Sequence, residues 1–159
     1  MSPPPSLHTN PRGLGPQPIP HADTGDPAGE TRVVPADRYG IAQPRGPVTG
    51  DVVVAYGRAL VSNPGWRPGY AEVWDMRFSP AVDLVPSDVP ALLELERETK
   101  GALAGSWTVV VTPRPFLLFS VQFYARLVKP LGRTVLGVAT AEEAADLLGI
   151  AEIPDLRAA

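Results

Sequence analysis

The chain has 159 residues, a formal net charge of −3 and no cysteine, which suits one domain with a single core and an appendage. The nearly neutral body offers no electrostatic attraction for nucleic acid or an anionic membrane, and the lack of cysteine excludes disulfides, thiolate chemistry and cysteine-based zinc sites. The only histidines are His8 and His21, both near the N-terminus, so a catalytic or metal-ligating histidine in the core is excluded too.

Residues 1–30 are rich in proline, with eight of the twenty prolines of the chain. Such a segment cannot bury enough apolar surface to offset its ordering entropy, so we predict a disordered leader at 1–30, a domain at 31–152 and a short tail at 153–159. An alternative for Pro16–Pro20 is a polyproline II ligand for a partner. The sequence contains no apolar run of about 18 residues and no secretory signal pattern, so we expect no membrane insertion and a cytoplasmic location.

The first predicted elements are a hairpin and a helix. Strands at 31–35 and 39–43 flank a turn, and the prolines near their ends indicate a sheet edge or strand ends. Thr49 precedes apolar residues at helical spacing, which predicts that it caps a helix from Asp51 to Ser62. Proline cannot continue a helix, so Asn63-Pro64-Gly65 ends it.

Three strand–helix repeats follow. The predicted strands are 70–76, 107–111 and 134–138, of which 107–111 is apolar on both faces, as a buried strand should be. Two predicted helices begin at Ser87 and Phe116 and run to about Gly101 and Val128. Thr140 is predicted to cap a last helix from Ala141 to Leu148. The order is therefore ββ-αβ-αβ-αβ-α, an α/β domain with a mixed central sheet.

Four short motifs accompany this order. They are Gly46-Pro-Val-Thr49, Trp66-Arg-Pro-Gly69, Val73-Trp-Asp-Met-Arg77 and Thr140-Ala-Glu-Glu-Ala144. With them the chain resembles the STAS-like fold of the anti-sigma-factor antagonists, and more closely the small bacterial STAS-like proteins, over most of residues 31–150. The resemblance implies a regulatory or protein-interaction module that is not an enzyme and needs no cofactor.

Ser87 is the candidate phosphoacceptor that the resemblance implies. In the antagonists a partner kinase phosphorylates a serine within Asp-Ser-Ser-Gly, at the start of the second helix. The matching segment here is Val85-Pro-Ser-Asp-Val89, which keeps Ser87 but lacks the paired serine and the glycine. The missing residues favour the alternative, in which the Ser87 hydroxyl caps the second helix.

A second candidate site is the rim at the carboxyl ends of the parallel strands. Right-handed crossovers place the helix N-termini at this end, where free N–H groups favour an anion. Asp75, Arg77 and Arg114 are expected on the rim, which could bind an anionic small molecule or a phosphoserine. In the alternative, Asp75 and Arg77 pair with each other or cap helices.

The third helix is a candidate partner or ligand surface. One stripe of it carries Phe116, Phe119 and Phe123, and a neighbouring stripe carries Leu117, Val121 and Tyr124. So wide an apolar surface exceeds what one sheet face needs, which leaves plain burial, a homodimer contact, a protein partner, or a flap over a small apolar, lipid-like ligand as alternatives.

Chemistry-bearing motifs do not appear elsewhere in the sequence. It contains no glycine-rich phosphate loop, no paired catalytic acids and no metal-binding cluster, and a nucleophile–base pair cannot be assembled in the domain without histidine or cysteine. We therefore expect a non-catalytic interaction module with no metal or cofactor, and a carrier of a small amphipathic ligand as the alternative.

Overall fold

The computed structural model describes residues 29–158. The predicted leader at 1–30 and the polyproline alternative lie outside these residues, apart from positions 29 and 30, which belong to the first strand. The strands are β1 (Gly29–Val34), β2 (Tyr39–Pro44), β3 (Ala71–Asp75), β4 (Trp107–Val111) and β5 (Thr134–Val138). The α-helices of this part of the chain are α1 (Gly50–Val61), α2 (Val89–Glu98), α3 (Pro115–Val128) and α4 (Ala141–Leu148).

The strands form one mixed sheet in the order β1-β2-β3-β4-β5. The hairpin strands β1 and β2 pair antiparallel, and the pairs from β2 to β5 are parallel. Parallel strands need crossovers, and α1, α2 and α3 supply them. The predicted order and the mixed central sheet are therefore confirmed, with β3 in the middle of the sheet.

The two faces of the sheet have different covers. Because side chains alternate along a strand, Val73 and Val109 lie on one face, where they pack with Ala144 of α4. Ile153 and Leu156, in the segment predicted as a tail, are buried in the same cluster. The opposite face carries Trp74, Val110 and Val135 and packs against α1 and α3.

Helix α2 lies against α1, and Gly57 of α1 faces Leu95 of α2. A Cβ at Gly57 would lie 2.8 Å from Leu95 Cδ2, so a larger residue there would force the Leu95 side chain to shift. Within residues 29–158, no helix is long and apolar enough to cross a membrane.

Two of the three predicted helix caps are present. Thr49 accepts a hydrogen bond from the N–H of Val52, and Thr140 accepts one from the N–H of Glu143. The predicted cap at Ser87 is wrong, because α2 begins at Val89 and its N-cap is Asp88.

Candidate functional site

Two of the three residues predicted on the rim at the carboxyl ends of the strands, Asp75 and Arg77, are in contact with each other. Asp75 accepts hydrogen bonds from Arg77 Nε at 2.9 Å and Nη2 at 2.8 Å. Arg114 donates from Nη2 to the carbonyl oxygen of Ser79, on the loop that follows Arg77. The structure thus brings Asp75 and Arg77 together as the alternative interpretation expected, with Arg114 on the same edge of the sheet.

Asp75 does not surface on the rim, contrary to the sequence-based expectation. Its side chain is fully buried, and Gln43 donates a hydrogen bond to it at 2.9 Å. Gln43 also donates to the carbonyl oxygen of Pro154 and accepts from the N–H of Leu156, so the C-terminal segment lies over this part of the rim. These contacts favour a structural role for Asp75.

Ser87 lies in an exposed 3-10 turn, Pro86–Asp88, directly before α2. The neighbouring Asp88 accepts a hydrogen bond from the N–H of Val85 at 2.9 Å, which closes this turn. Because the turn is stabilised by Asp88, the helix begins two residues later than predicted and the hydroxyl of Ser87 is not its cap. Its assignment as a phosphoacceptor stays a prediction.

Helix α3 exposes three phenylalanines on one stripe. Phe116 is 82%, Phe119 68% and Phe123 56% exposed, and their spacing of three and four residues puts them on one side of the helix. We call these three side chains the Phe face. Since phenylalanine is among the residues most often buried, three of them exposed side by side are evidence for a contact surface.

The other stripe of α3 forms one wall of an internal cavity of about 130 Å³. Leu117, Val121 and Tyr124 face it from α3, opposite Leu92 and Leu95 of α2. Residues of the sheet form the floor of the cavity. The exposed Leu84, from the β3–α2 loop, also lines it, so the cavity reaches the surface at this loop. A cavity of about 150 Å³ admits benzene, so this one has room for a single ring or a short branched chain.

One end of the cavity is polar, lined by Glu72, Glu96, Thr108 and Tyr124, and Arg133 in the turn before β5 contacts three of these four residues. Arg133 donates to Glu96 from Nε at 2.9 Å and to Glu72 from Nη2 at 3.0 Å. Thr108 donates to Glu72 at 2.7 Å, and the hydroxyl of Tyr124 donates to Glu96 at 2.8 Å. We call these five residues the ionic cluster.

The ionic cluster is buried, and the strand register assembles it. Glu72 lies directly opposite Thr108 on the next strand, so both side chains point to the same face of the sheet, the one that packs against α1 and α3. Burial raises the pKa of Glu72, while Arg133 and the hydrogen bond from Thr108 lower it. Burial also raises the pKa of Tyr124, and the charge of Glu96 adds to this effect. Tyr124, predicted as part of a partner surface, is therefore a half-buried side chain whose hydroxyl donates to Glu96.

The sequence analysis did not single out Glu72, Glu96 or Arg133. These residues are far apart in the chain, and only the sheet topology joins them. A usable signal was present, because Glu72 stands between the apolar residues Ala71 and Val73 in a predicted strand, where an acid is rarely buried without a partner.

Comparisons with known proteins agree with this architecture. No protein-family model matches the sequence, and no curated protein matches it either. A crystal structure of an uncharacterised protein of the DUF3478 family from Shewanella loihica PV-4, described as having a SpoIIAA-like fold, aligns with a TM-score of 0.53 at 13% identity, covering 76% of this chain and 92% of that chain. The fold is SpoIIAA-like. The anti-sigma factor antagonist SpoIIAA in its unphosphorylated form has a TM-score of 0.44 at 19% identity and covers 77% of this chain and 98% of that chain.

The SpoIIAA-like fold confirms the predicted STAS-like architecture. At these identities the likeness concerns the fold alone, so the function has to be argued from the residues of this chain. The two features available for that argument are the Phe face on the outside of α3 and the cavity on its inside.

Proposed function

We propose that this chain is a non-catalytic interaction module and that the Phe face of α3 is its contact surface. The observation that supports the proposal is the exposure of Phe116, Phe119 and Phe123 on one stripe. Aromatic side chains bury about 150–250 Å² each and are enriched at protein interfaces. Taking about 200 Å² for a fully exposed phenylalanine, the Phe face presents on the order of 400 Å² of mostly apolar surface.

The non-catalytic part of the proposal rests on the composition of the chain. Histidine occurs only at positions 8 and 21, and cysteine is absent. The buried acids Asp75, Glu72 and Glu96 accept hydrogen bonds from arginine side chains, so they are committed to ion pairs.

The occupant that best fits the Phe face is a second copy of this chain. The stripe is nearly symmetric about Phe119, because Phe116 and Phe123 lie three and four residues from it. In an antiparallel pair of α3 helices related by a two-fold axis, Phe116 of one copy would face Phe123 of the other.

The available area is adequate for such a dimer. A specific interface buries roughly 800 Å² per partner, and the core of a homodimer interface is about 65% apolar. The Phe face supplies most of the apolar share, and the polar residues on either side of it supply the rim. The expected dimer is therefore at the small end of the standard size range, and its population should depend on concentration.

Sedimentation velocity of the full chain between about 1 and 200 µM tests this proposal. We expect the weight-average mass to rise above 16.9 kDa with concentration, and Phe119→Asp to abolish the rise because a charge would be buried at the two-fold axis. Leu147→Asp is the matched control, since Leu147 is an exposed apolar residue of α4, on the other face of the sheet. A wild-type chain that stays monomeric throughout, or equal loss in both variants, would contradict the proposal.

The cavity supports a second candidate function, a carrier of a small apolar or amphipathic ligand. Its walls are mostly aliphatic, as ligand pockets generally are. Mass spectrometry of the denatured purified chain is the simplest test, and we expect a small amphipathic molecule to be released in stoichiometric amount. Repeated preparations without one, from different growth conditions, would count against the carrier.

A further inference from the structure

The polar end of the cavity limits the kind of ligand that could bind there, and this inference rests on the carrier function proposed above. The relevant property is which side-chain N–H and O–H groups remain available toward the cavity. A buried donor that already points to a protein acceptor has little left to offer a ligand, whereas a carboxylate oxygen has about two acceptor positions.

Arg133 has no spare donor. Its Nε and Nη2 groups donate to Glu96, Glu72 and Thr108, and its Nη1 group donates to the carbonyl oxygens of Leu103 and Ser106 at 3.3 Å each. The five N–H groups of an arginine are therefore matched by five named acceptors. A carboxylate on a ligand could not form an ion pair with Arg133 without displacing one of them.

The other donors in the cavity wall are also engaged. The hydroxyls of Tyr124 and Thr108 donate to the two glutamates, and Thr99 donates to the carbonyl oxygen of Leu95 at 2.7 Å. Ser120 donates to the carbonyl oxygen of Phe116 at 3.1 Å. The indole N–H of Trp74, the only donor of that side chain, also interacts with the carboxylate of Glu72 and lowers its pKa.

The acceptors, in contrast, are not saturated. Glu96 receives one hydrogen bond from Arg133 and one from Tyr124, and Glu72 receives one from Thr108 and one from Arg133. Two carboxylates provide about eight acceptor positions, so several remain. Two carboxyl groups beside one guanidinium also leave this end of the cavity without a net positive charge that could attract an anion.

We propose that the cavity binds small apolar molecules whose polar end donates hydrogen bonds, namely alcohols and amines, and that it discriminates against carboxylates. A hydroxyl or ammonium group would donate to Glu72 or Glu96 while its apolar body packs against Leu92, Leu117 and Val121. A carboxylate in the same place would face the carboxyl oxygens of Glu72 and Glu96 and would find Arg133 already engaged, and burying a charge without a partner is strongly unfavourable.

A matched probe series tests this. Benzyl alcohol, benzylamine and benzoate share one ring, which the cavity can hold, and differ in the polar group. Titration into the full-length chain, followed through the NMR signal of the Trp74 indole N–H, should show saturable shifts for the alcohol and the amine and a dissociation constant at least tenfold larger for benzoate.

Two variants complete the design. Glu96→Gln replaces an acidic group by an amide with N–H donors. The dissociation constant of benzoate should then be less than three times that of benzyl alcohol. Glu98→Gln is the control, because Glu98 lies on the same helix but pairs with Arg58 at the surface, and the preference should be unchanged. The comparison of the three probes on the wild-type chain tests the proposed discrimination even if Glu96→Gln fails to fold.

The failures are distinguishable. If benzoate binds as tightly as the alcohol and the amine, or more tightly, the discrimination is wrong and the carrier function stands. If none of the three probes shifts the Trp74 signal up to millimolar concentration, the carrier function fails together with the inference.

Discussion

Replacing Arg133 by methionine should destabilise the domain severely, because it leaves two buried carboxylates without their shared cation. The Arg133 side chain is 3% exposed, and the side chains of Glu72 and Glu96 are 7% and 9% exposed. Removing one partner of a buried ion pair costs about 3–5 kcal/mol. That is a large part of a typical unfolding free energy of about 5–15 kcal/mol.

The matched control is Arg58→Met. Arg58 also pairs with a glutamate at 2.9 Å, but its side chain is 55% exposed, so its loss should cost about 0.2–1 kcal/mol. Urea denaturation followed by the fluorescence of the buried Trp66 and Trp74 measures both variants. The reasoning is refuted if the two substitutions change the unfolding free energy by amounts within about 1 kcal/mol of each other.

The pH dependence gives a second check on the same substitution. The pKa of Glu72 is raised in the folded chain, so the folded state binds this proton more tightly than the unfolded state. The contribution of Glu72 to stability is therefore largest below its ordinary pKa of 4.5 and is lost as the pH rises through the raised value. Arg133 lowers the pKa of Glu72, so this pKa should be higher still in Arg133→Met, and the fall in unfolding free energy should extend to higher pH. In Glu72→Gln the fall that is due to this group should be absent.

Three smaller predictions concern other parts of the domain. Gln43→Ala should cost about 1–3 kcal/mol, since it leaves buried groups unpaired, and should speed amide hydrogen exchange at Leu156. Thr140→Ala should lower the unfolding free energy by about 1 kcal/mol through loss of the α4 cap, measured by urea denaturation; no change would contradict the cap. Ser87→Ala should change stability by less than about 0.5 kcal/mol, because Ser87 is exposed and not the cap of α2; a larger loss would restore the cap interpretation.

Much of the fold was predictable because the local signals agree with one another. The apolar strand at 107–111, the helix from Phe116 to Val128 and the caps at Thr49 and Thr140 each follow from spacing and residue type, and the structure has them at nearly the predicted bounds. The start of α2 was misplaced because Ser87 and Asp88 are both good capping residues, and the contact of Asp88 with Val85 decides between them.

The candidate site was predictable only in part. The sequence indicated that α3 has two apolar stripes, but the exposure of the Phe face depends on which stripe packs on the sheet. The ionic cluster could not be assembled from spacing, since Glu72, Glu96 and Arg133 meet only through the parallel register of β3, β4 and β5. The burial of Asp75 likewise depends on a C-terminal segment whose position no local pattern specifies.

The absence of cysteine from the chain allows the most direct test of the proposed contact surface. A single cysteine at the two-fold axis, Phe119→Cys, can form a disulfide only with the same residue of a second copy, and only if their Cα atoms approach within about 7 Å. Oxidation of the full chain at about 100 µM, followed by non-reducing electrophoresis, should give a covalent dimer for Phe119→Cys and little dimer for Leu147→Cys. Equal cross-linking of the two variants, or none in either, would contradict the Phe face as the surface that joins two copies.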